Sequence, residues 1–466
     1  MTTHYDLAII GSGSGNSILS EAFADQRVAL LEQGIFGGTC LNVGCIPTKM
    51  FVYPADLAHE AAHTDHLGLD TRFDRARWGE IRDRIFRRID PISAAGRTWR
   101  AQSNKNVTLF EGHARFVDVR TLDTGIGETI TADQIVLAAG SHAVIPPVPG
   151  IENVEHHTSD TIMRIDALPR RLLILGGGFV AAEFAHVFGA FGTAVTVVNR
   201  SGVLLREQDR DISARFTELA RDRWDVRPDT RIRSVEQGEK GLRAQLDDGT
   251  STTTLEFDTL LVATGRRAST DGLELSRTGV EVDHSGVVVT DRYQRMNVPG
   301  IWSLGDLSNH YQLKHVANNE ARAVHHNLLH PDDLRASGHD NVPSAVFTSP
   351  QIASVGLTEQ AAVERGIRYV TARQAYGDTA YGWAMEDTTS FAKVFADPVT
   401  GRILGAHIIG PQASILIQPL IQAMNFGQTA QDVARGQYWI HPALSEVVEN
   451  LLLGLCDDEA VTFTPG

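Results

Sequence analysis

The chain has 466 residues, with 42 lysines and arginines against 57 aspartates and glutamates, for a formal net charge of −15. At roughly 100 to 200 residues per domain this length predicts two to four domains with large cores, and so acidic a surface argues against nucleic acid or an anionic membrane as a partner. Three cysteines cannot build a disulfide scaffold, so any two close in sequence point to redox or metal chemistry in a reducing, cytoplasmic compartment.

Residues 1–4 run straight into the apolar stretch 7–10, so no signal peptide is expected. Residues 6–10 predict a buried strand, 11–16 (GSGSGN) a glycine turn, 17–24 a helix, and 28–31 a second strand that ends at Glu32. The same strand–turn–helix–strand pattern returns at 171–175, 176–181 (GGGFVA), 183–190 and 194–198, and ends at Asn199 and Arg200. This second copy lies in the longest apolar-rich stretch, 172–198, which Glu183, His186 and several glycines disqualify as a membrane span. Two copies in strand–helix context predict two nucleotide sites, because glycine lets backbone N–H groups and a helix N-terminus approach a pyrophosphate. Glu32 suits the free ribose hydroxyls of FAD or NAD, whereas Arg200 and Arg206 suit a 2′-phosphate that a carboxylate would repel. FAD is therefore expected at the first site and NADPH at the second. Asn16 stands where this fingerprint usually has a third glycine.

Residues 134–140 and 259–265 each read as a short apolar strand closed by a glycine, LAAG at Gly140 and VATG at Gly265, and are expected to return to the two sheets. The stretch 330–342, crowded with Pro, Asp, Ser and Gly, predicts a linker to a last region of alternating strands and one amphipathic helix. The tail 456–466 is expected to fray.

Cys40 and Cys45 lie in GGTCLNVGCIPTK, residues 37–49. A regular helix would set positions i and i+5 about 7.5 Å apart along its axis and rotated away from each other, outside the roughly 4.4 to 6.8 Å of a disulfide. A bond between them needs a distorted turn, which Gly44 can supply, and a strained, exposed disulfide is easily reduced. Two separate buried thiols or half a metal site are the other readings. No second Cys/His pair with zinc-like spacing accompanies the motif.

With this dithiol, the two fingerprints, Ala263-Thr264-Gly265-Arg266, Gly305-Asp306, Val346-Phe347-Thr348 and His441-Pro442 through Glu446 in this order, the chain resembles the flavoprotein disulfide reductases of the glutathione reductase and dihydrolipoamide dehydrogenase type over residues 4–455. The resemblance implies an α/β fold of two doubly wound Rossmann-like nucleotide-binding domains, a central domain and a C-terminal α+β dimerisation domain. The expected boundaries are 1–148 (FAD and the dithiol), 149–266 (NADPH), 267–337 (central, completing the FAD site) and 338–466 (dimerisation). It also implies FAD contacts at Gly11, Gly13, Ser14, Gly15, Glu32, Gly38, Thr39, Gly140, Asp306 and Val316. NADPH contacts are implied at Gly176, Gly178, Phe179, Val180, Glu183, Arg200, Arg206 and Gly265. Phe179 matches the place of a tyrosine gate over the flavin in many members, and Lys49 would sit beside the flavin and pair with Glu183.

By the same resemblance Cys45 is the thiolate facing the flavin, and Cys40 is the interchange thiol that attacks the substrate disulfide. His441 would manage the proton, since an imidazole takes and returns protons near neutral pH, with Glu446 holding its other nitrogen. Family members supply this pair from the partner subunit, which implies a homodimer with a shared active site.

The stretches 11–16, 314–322 (KHVANNEAR), 376–388 (YGDTAYGWAMEDT), 416–424 (LIQPLIQAM) and 434–450 (ARGQYWIHPALSEVVEN) resemble the members that reduce mycothione, the disulfide of mycothiol. Glu21 replaces an arginine that glutathione-reducing members offer to a substrate carboxylate, and mycothiol lacks glutathione's free carboxylates, whereas Arg322 matches another glutathione-contacting arginine. A glutathione reductase, a dihydrolipoamide dehydrogenase and a flavin-binding scaffold are the alternatives. Asn199 and Arg200 argue against the dehydrogenase, which would prefer a carboxylate there, and intact Cys40, Cys45, His441 and Glu446 argue against the scaffold. Cys456 stands single before Asp457, Asp458 and Glu459, which argues against a second redox pair.

Overall fold

The structure, a computed structural model, describes residues 2–456 and 461–463. The strand Thr3–Ile10 buries Leu7, Ala8, Ile9 and Ile10 because it lies between two parallel neighbours with both sheet faces covered. Leu7 to Ile10 pair with Val28 to Leu31 on one side and Gln134 to Leu137 on the other. These strands belong to a seven-stranded sheet, with Val107–Phe110 beyond Val28–Leu31, Ile301–Ser303 beside Thr129–Leu137, and the short antiparallel strands Thr121–Asp123 and Arg115–Asp118 at one edge. The second sheet has five parallel strands in the order Asp225–Arg227, Ala194–Val198, Arg171–Leu175, Thr259–Val262, His156–His157.

The two glycine turns solve one steric problem twice. Gly11 has φ +108°, and a Cβ there would stand 2.2 Å from Ala138 O at the end of the returning strand. Gly176 has φ +133°, and its Cβ would stand 2.2 Å from Ala263 O. In each sheet the returning strand thus closes directly against the first glycine.

The turns then diverge. The second opens the α-helix Phe179–Ala190 at Gly178, one turn earlier than the expected 183–190. The first does not lead into the helix expected at 17–24. It gives two single 3₁₀ turns, Gly15–Ile18 and Glu21–Phe23, with Leu19 extended between them. The reason is Arg100, a buried side chain 84 positions away from Asn16. Its Nε donates to Asn16 Oδ1 at 2.7 Å, and its Nη2 donates to the carbonyls of Asn16 at 3.1 Å and Leu19 at 3.4 Å. Those carbonyls are the ones a continuous α-helix would use for its own i→i+4 bonds. Burial holds the Arg100 guanidinium down to about 10.

Behind the dithiol, the helix Cys45–Ala61 packs on Phe179–Ala190 and on Trp78–Thr98. Phe51, Val52 and Ala55 share one core with Ala181, Phe184, Phe188 and Trp78, and the rings of Phe51 and Trp78 stack at 4.9 Å. No helix among the described residues is long and apolar enough to cross a membrane.

The C-terminal region is a six-stranded sheet in the order Ser344–Val346, Ile352–Gly356, Ile403–Ile409, Phe391–Ala396, Tyr369–Ala375, Val461–Phe463. For residues 461–463 the last strand corrects the expectation of a frayed tail, pairing with Tyr369, Val370 and Thr371 while the rings of Phe463 and Tyr369 stack at 5.1 Å; 457–460 and 464–466 lie outside the described residues. In place of one amphipathic helix, the described residues hold six short ones here, of which Gln418–Phe426 and Ser445–Leu453 are the longest at 9 residues each. Buried Lys393 joins this region to the second nucleotide unit through Asp209 at 3.0 Å and Asp211 at 2.8 Å, and pairs with Glu359 at 2.5 Å in its own. Three carboxylates offset the cost of burying one ammonium.

Within the second turn the demands on glycine differ, because Gly178 has φ −86° and open space where a Cβ would point. Gly176→Ala is expected to lower unfolding stability by about 1–3 kcal/mol, and Gly178→Ala to leave it nearly unchanged. Thermal unfolding of the two variants checks this.

Candidate redox site

The backbone carries the dithiol across a break. The short helix Gly38–Asn42 ends at Val43, and a new helix starts at Cys45 with Gly44 (φ −132°, ψ −119°) at the junction. A Cβ at Gly44 would press on Thr39 O at 3.0 Å. The break undoes the rotation that a regular helix would put between positions 40 and 45, and the two thiols come near enough to perturb each other. The Cys45 thiol falls to about 7, first through its interaction with the Cys40 thiol and then because of the Lys49 charge, with burial opposing. Cys40 is pushed well above the ordinary thiol range by that same interaction and by burial, and the Lys314 charge pulls the other way.

Lys49 lies one helical turn beyond Cys45. Its Nζ sits 2.7 Å from both carboxylate oxygens of Glu183 and 4.6 Å from the centre of the Phe347 ring. The Phe347 N–H in turn donates to Glu183 Oε1 at 3.0 Å, and Glu183 is almost wholly buried. The cation is held by a carboxylate from the second nucleotide unit and a backbone N–H from the C-terminal region.

The first glycine turn leads to the same place, since a Cβ on Gly38 (φ +69°) would stand 2.7 Å from Gly13 Cα. At the end of the strand Val28–Leu31, Glu32 is locked by Ser12, whose N and Oγ donate to Oε2 at 2.8 and 2.6 Å, and by Gly34 N, which donates to Oε1 at 2.8 Å. Asp306 accepts from Ser141 Oγ at 2.7 Å, and Ser141 Oγ accepts from Arg266 Nε at 2.9 Å. Gly140 has φ +71°, and Val316 is buried in the helix Lys314–Leu329, whose first residue donates from Nζ to Ser14 Oγ at 2.7 Å. Gly11, Gly13 and Gly15 form a bare backbone cradle, and two carboxylates, Glu32 and Asp306, are placed to accept hydroxyl hydrogen bonds. This donor and acceptor set fits a dinucleotide with unphosphorylated ribose, as in FAD.

In the second turn, a Cβ on Gly177 would stand 2.5 Å from Asn199 Cγ, while Asn199 Nδ2 donates to Ser201 O at 3.0 Å and Val203 O at 2.7 Å. Leu205 N ties the loop back to Gly177 O at 2.7 Å. This loop presents Arg200 and Arg206 to solvent, with Arg206 Nε on Glu207 Oε1 at 2.9 Å. Gly265 (φ +125°) closes the facing side, and Phe179 and Val180 form the first turn of the helix, Phe179 with its ring half exposed. The site fits an extended dinucleotide with an additional phosphate near the arginines.

His441 belongs to another part of the chain. Its Nδ1 lies 2.7 Å from Glu446 Oε1, whose other oxygen accepts from Ala443 N at 3.3 Å, and its side chain is 71% exposed. The strongest influences on Cys40 are Cys45, burial, Lys314 and the Ile46 N–H, and His441 is not among them. Of the other residues weighed from sequence, Glu21 opens the second 3₁₀ turn and Arg322 Nη2 donates to Asn319 Oδ1 at 3.3 Å. The Cys456 thiol points to Leu452 O at 3.4 Å, and Asp457, Asp458 and Glu459 lie outside the described residues.

The sequence profile described as pyridine nucleotide-disulphide oxidoreductase matches residues 5–321, and that of the family's dimerisation domain matches 342–452. This chain belongs to the pyridine nucleotide-disulphide oxidoreductase family. It is 52% identical over 460 residues to the mycothione reductase of Mycobacterium tuberculosis (97% of this chain, 99% of the relative). It is 33% identical over 467 residues to the mercuric reductase of Streptomyces lividans (95% and 94%). The HOCl-induced flavoprotein disulfide reductase RclA of Escherichia coli superposes with a TM-score of 0.84 at 27% identity, covering 96% of this chain and 99% of that one. As a member of the family the protein is a flavoprotein disulfide reductase whose cofactors are FAD and NADPH.

Within this family member, the residues that sequence reasoning missed are Ser12, Arg100 and Lys314. Ser12 occupies a variable position of the fingerprint, and Arg100 and Lys314 reach the site from about 85 and 300 positions away, with no local pattern to mark them. The Lys49 charge is expected to be measurable at Cys45. In the reduced protein thiolate absorbance should rise with a midpoint near 7, and Lys49→Met should move the midpoint up toward the ordinary thiol value of about 8.5. An unchanged midpoint would assign the depression to the Cys40 thiol alone.

Proposed function

We propose that this protein reduces mycothione to mycothiol, with electrons from NADPH, as a cytoplasmic homodimer in which Cys40 and Cys45 of one chain work with the partner's His441 and the partner's Glu446. The domain boundaries and residue assignments are those read from the sequence. The activity rests on one observation above all: the break at Gly44 brings two thiols together so that Cys45 ionises readily while Cys40 keeps its proton. Bound FAD and NADPH would together deliver two electrons to the Cys40–Cys45 disulfide. Gly11, Gly13, Ser14, Gly15, Glu32, Gly38, Thr39, Gly140, Asp306 and Val316 hold the first cofactor in this reading. Gly176, Gly178, Phe179, Val180, Glu183, Arg200, Arg206 and Gly265 hold the second.

The chemistry of the protein's own residues then balances. Cys40 gives its proton to the partner's His441, and its sulfur attacks one sulfur of the substrate. The S–S bond breaks, one mycothiol leaves with that proton, and a mixed disulfide remains on Cys40. The Cys45 thiolate attacks Cys40 Sγ, the protein disulfide re-forms, and the second mycothiol leaves as a thiolate that takes a proton from water. Glu446 keeps the imidazole oriented and stabilises its charged form. Lys49 favours the Cys45 thiolate and is kept in place by Glu183.

Two exposed apolar surfaces support the shared site. Tyr438 and Ile440, immediately before His441, are 104% and 75% exposed, and the dithiol helix leaves Ile46, Tyr53 and Leu57 uncovered on a stripe that begins beside Cys45. Each half of the catalytic set therefore lies at the edge of an apolar face that a second copy would cover. The substrate assignment is supported by the near full-length identity to the M. tuberculosis enzyme and by the acid Glu21 in place of a carboxylate-binding arginine.

The test is a comparison of mycothione, glutathione disulfide and lipoamide, each with NADPH and NADH. Turnover of mycothione with NADPH far above the other pairs is expected, and equal turnover of glutathione disulfide would overturn the substrate. Arg200 and Arg206 are each worth roughly 1.5–3 kcal/mol toward a 2′-phosphate, so replacing both should erase the preference for NADPH. For the dimer, Cys40→Ser and His441→Ala chains are mixed. If the site is shared, a heterodimer has one site lacking both residues and one site intact, and with random assortment about one quarter of all sites should work while each parent is nearly dead. A mixture as inactive as its parents, after exchange is verified by mass, would assign His441 to its own chain's Cys40.

A further inference from the structure

The loop that carries Arg200 and Arg206 is fastened at its two ends to different parts of the molecule. Upstream, the Asn199 side chain holds it inside its own unit, through Ser201 O at 3.0 Å and Val203 O at 2.7 Å. Downstream, Leu205 takes the left-handed conformation, φ +52°, which a leucine keeps only where its surroundings impose it, and Arg206 follows at once. The residues just beyond are tied to the C-terminal region. Gln360, on the short helix Glu359–Glu364, donates from Nε2 to Gln208 O at 2.8 Å and accepts from Arg210 N at 3.1 Å through Oε1. Its amide suits both jobs, since one end donates to the carbonyl and the other accepts from the N–H. Between these two contacts the buried Asp209 accepts from Glu359 N at 2.9 Å and meets Lys393 Nζ at 3.0 Å, while Ser354 Oγ donates to Gln208 Oε1 at 2.5 Å.

We propose that Gln360 is a positioning residue for cofactor selectivity: by bracing the main chain at Gln208 and Arg210 it sets where Arg206 stands, and so how tightly the second nucleotide site holds a 2′-phosphate. This rests on the assignment of Arg200 and Arg206 to that phosphate. Arg206 lies two positions before Gln208, between the brace and Leu205, whose N donates to Gly177 O at 2.7 Å and whose O accepts from Ser213 Oγ at 2.7 Å. With Gln208 released, the exposed Arg206 hangs on the Leu205 side alone, and the order it has lost must be restored when a phosphate binds, which weakens binding. Arg200 stands on the upstream stretch that Asn199 fastens, so Gln360 acts through Arg206 and not through Arg200. A ligand without the 2′-phosphate is indifferent to where Arg206 stands. The ion cluster of Lys393 with Asp209, Asp211 and Glu359 keeps the two units docked without the amide, so removing the half-buried Gln360 side chain loosens the loop and not the interface.

The experiment measures calorimetric binding of 2′,5′-ADP and of 5′-AMP to the FAD-loaded protein, beside steady-state kinetics with NADPH. Gln360→Ala should weaken 2′,5′-ADP by roughly three- to tenfold and leave 5′-AMP within about twofold of the parent. Gln360→Glu, which keeps the acceptor for Arg210 N but sets a carboxylate oxygen against Gln208 O, should weaken 2′,5′-ADP at least as much. KM for NADPH should rise in the same proportion, with kcat at saturating NADPH and KM for the disulfide unchanged. Added to Arg206→Ala, Gln360→Ala should have no further effect on 2′,5′-ADP, whereas added to Arg200→Ala it should keep its full effect. Unchanged 2′,5′-ADP binding in both Gln360 variants overturns the proposal. So does equal weakening of 5′-AMP, or a Gln360→Ala protein that fails to fold, since the amide then serves the unit as a whole. An undiminished effect on top of Arg206→Ala also overturns it. If the parent binds 2′,5′-ADP no tighter than 5′-AMP, it is the underlying assignment of Arg200 and Arg206 that fails, and the two failures are told apart.

Discussion

The mutual influence of the Cys40 and Cys45 thiols is the interaction on which the rest of the site depends, and it exists because the backbone stops being helical for two residues. Had the helix run unbroken from Gly38 through Ala61, the thiols would lie on different faces, and neither would perturb the other. The break brings the sulfurs together so that one favours the thiolate and the other the thiol. From that asymmetry follow a sulfur that is anionic near neutrality and a sulfur that keeps its proton until a base removes it. Lys49, Glu183 and the Phe347 N–H sharpen the difference, and they come from three separate stretches of the chain. The dithiol chemistry is therefore tied to the packing of the dithiol helix against Phe179–Ala190, because a shift of that interface would carry Glu183 away from Lys49.

What the sequence disclosed and what it hid divide along the range of the interactions involved. The strands Val28–Leu31, Arg171–Leu175 and Ala194–Val198 have the bounds that apolar runs flanked by glycines and charges imply, since a parallel strand covered on both faces leaves a continuous local imprint. The two nucleotide turns were legible for the same reason: glycine marks a close approach of backbone, and Gly11 and Gly176 meet the returning strands at the same place. The first helix was misread because its fate is decided by Arg100. A guanidinium that takes the carbonyls of Asn16 and Leu19 defeats a local pattern without altering it. The terminal strand was misread as frayed because pairing with Tyr369–Ala375 is fixed by tertiary contact, not by the composition of an acidic tail. Six short helices went uncounted because helices of four to nine residues hold too few turns for a 3.6-residue period to stand out.

At the candidate site, residues that do chemistry were easier to find than residues that tune it. Cys40, Cys45, His441 and Glu446 carry reactive groups at short spacing, so their types alone raise the question of function. Lys314 carries an ordinary charge on an ordinary helix, and only the fold brings it to Ser14. Ser12 is likewise a small polar residue inside a glycine turn until the structure places it on both Glu32 and Gly37.

The pairing of Lys49 with Glu183 has a physical logic of its own. Lys49 and Glu183 form a pair in which a nearly buried carboxylate is satisfied by both the ammonium and a backbone N–H, so much of the lysine's field is cancelled beyond its immediate neighbours. Such a cation acts on the nearest sulfur, Cys45. His441, held by Glu446, stands exposed next to uncovered Tyr438 and Ile440. If, as proposed, the site is shared, a reductase built this way would hold a reactive thiolate in each chain yet keep proton transfer to substrate dependent on assembly, because the base would arrive with the surface that covers those apolar side chains.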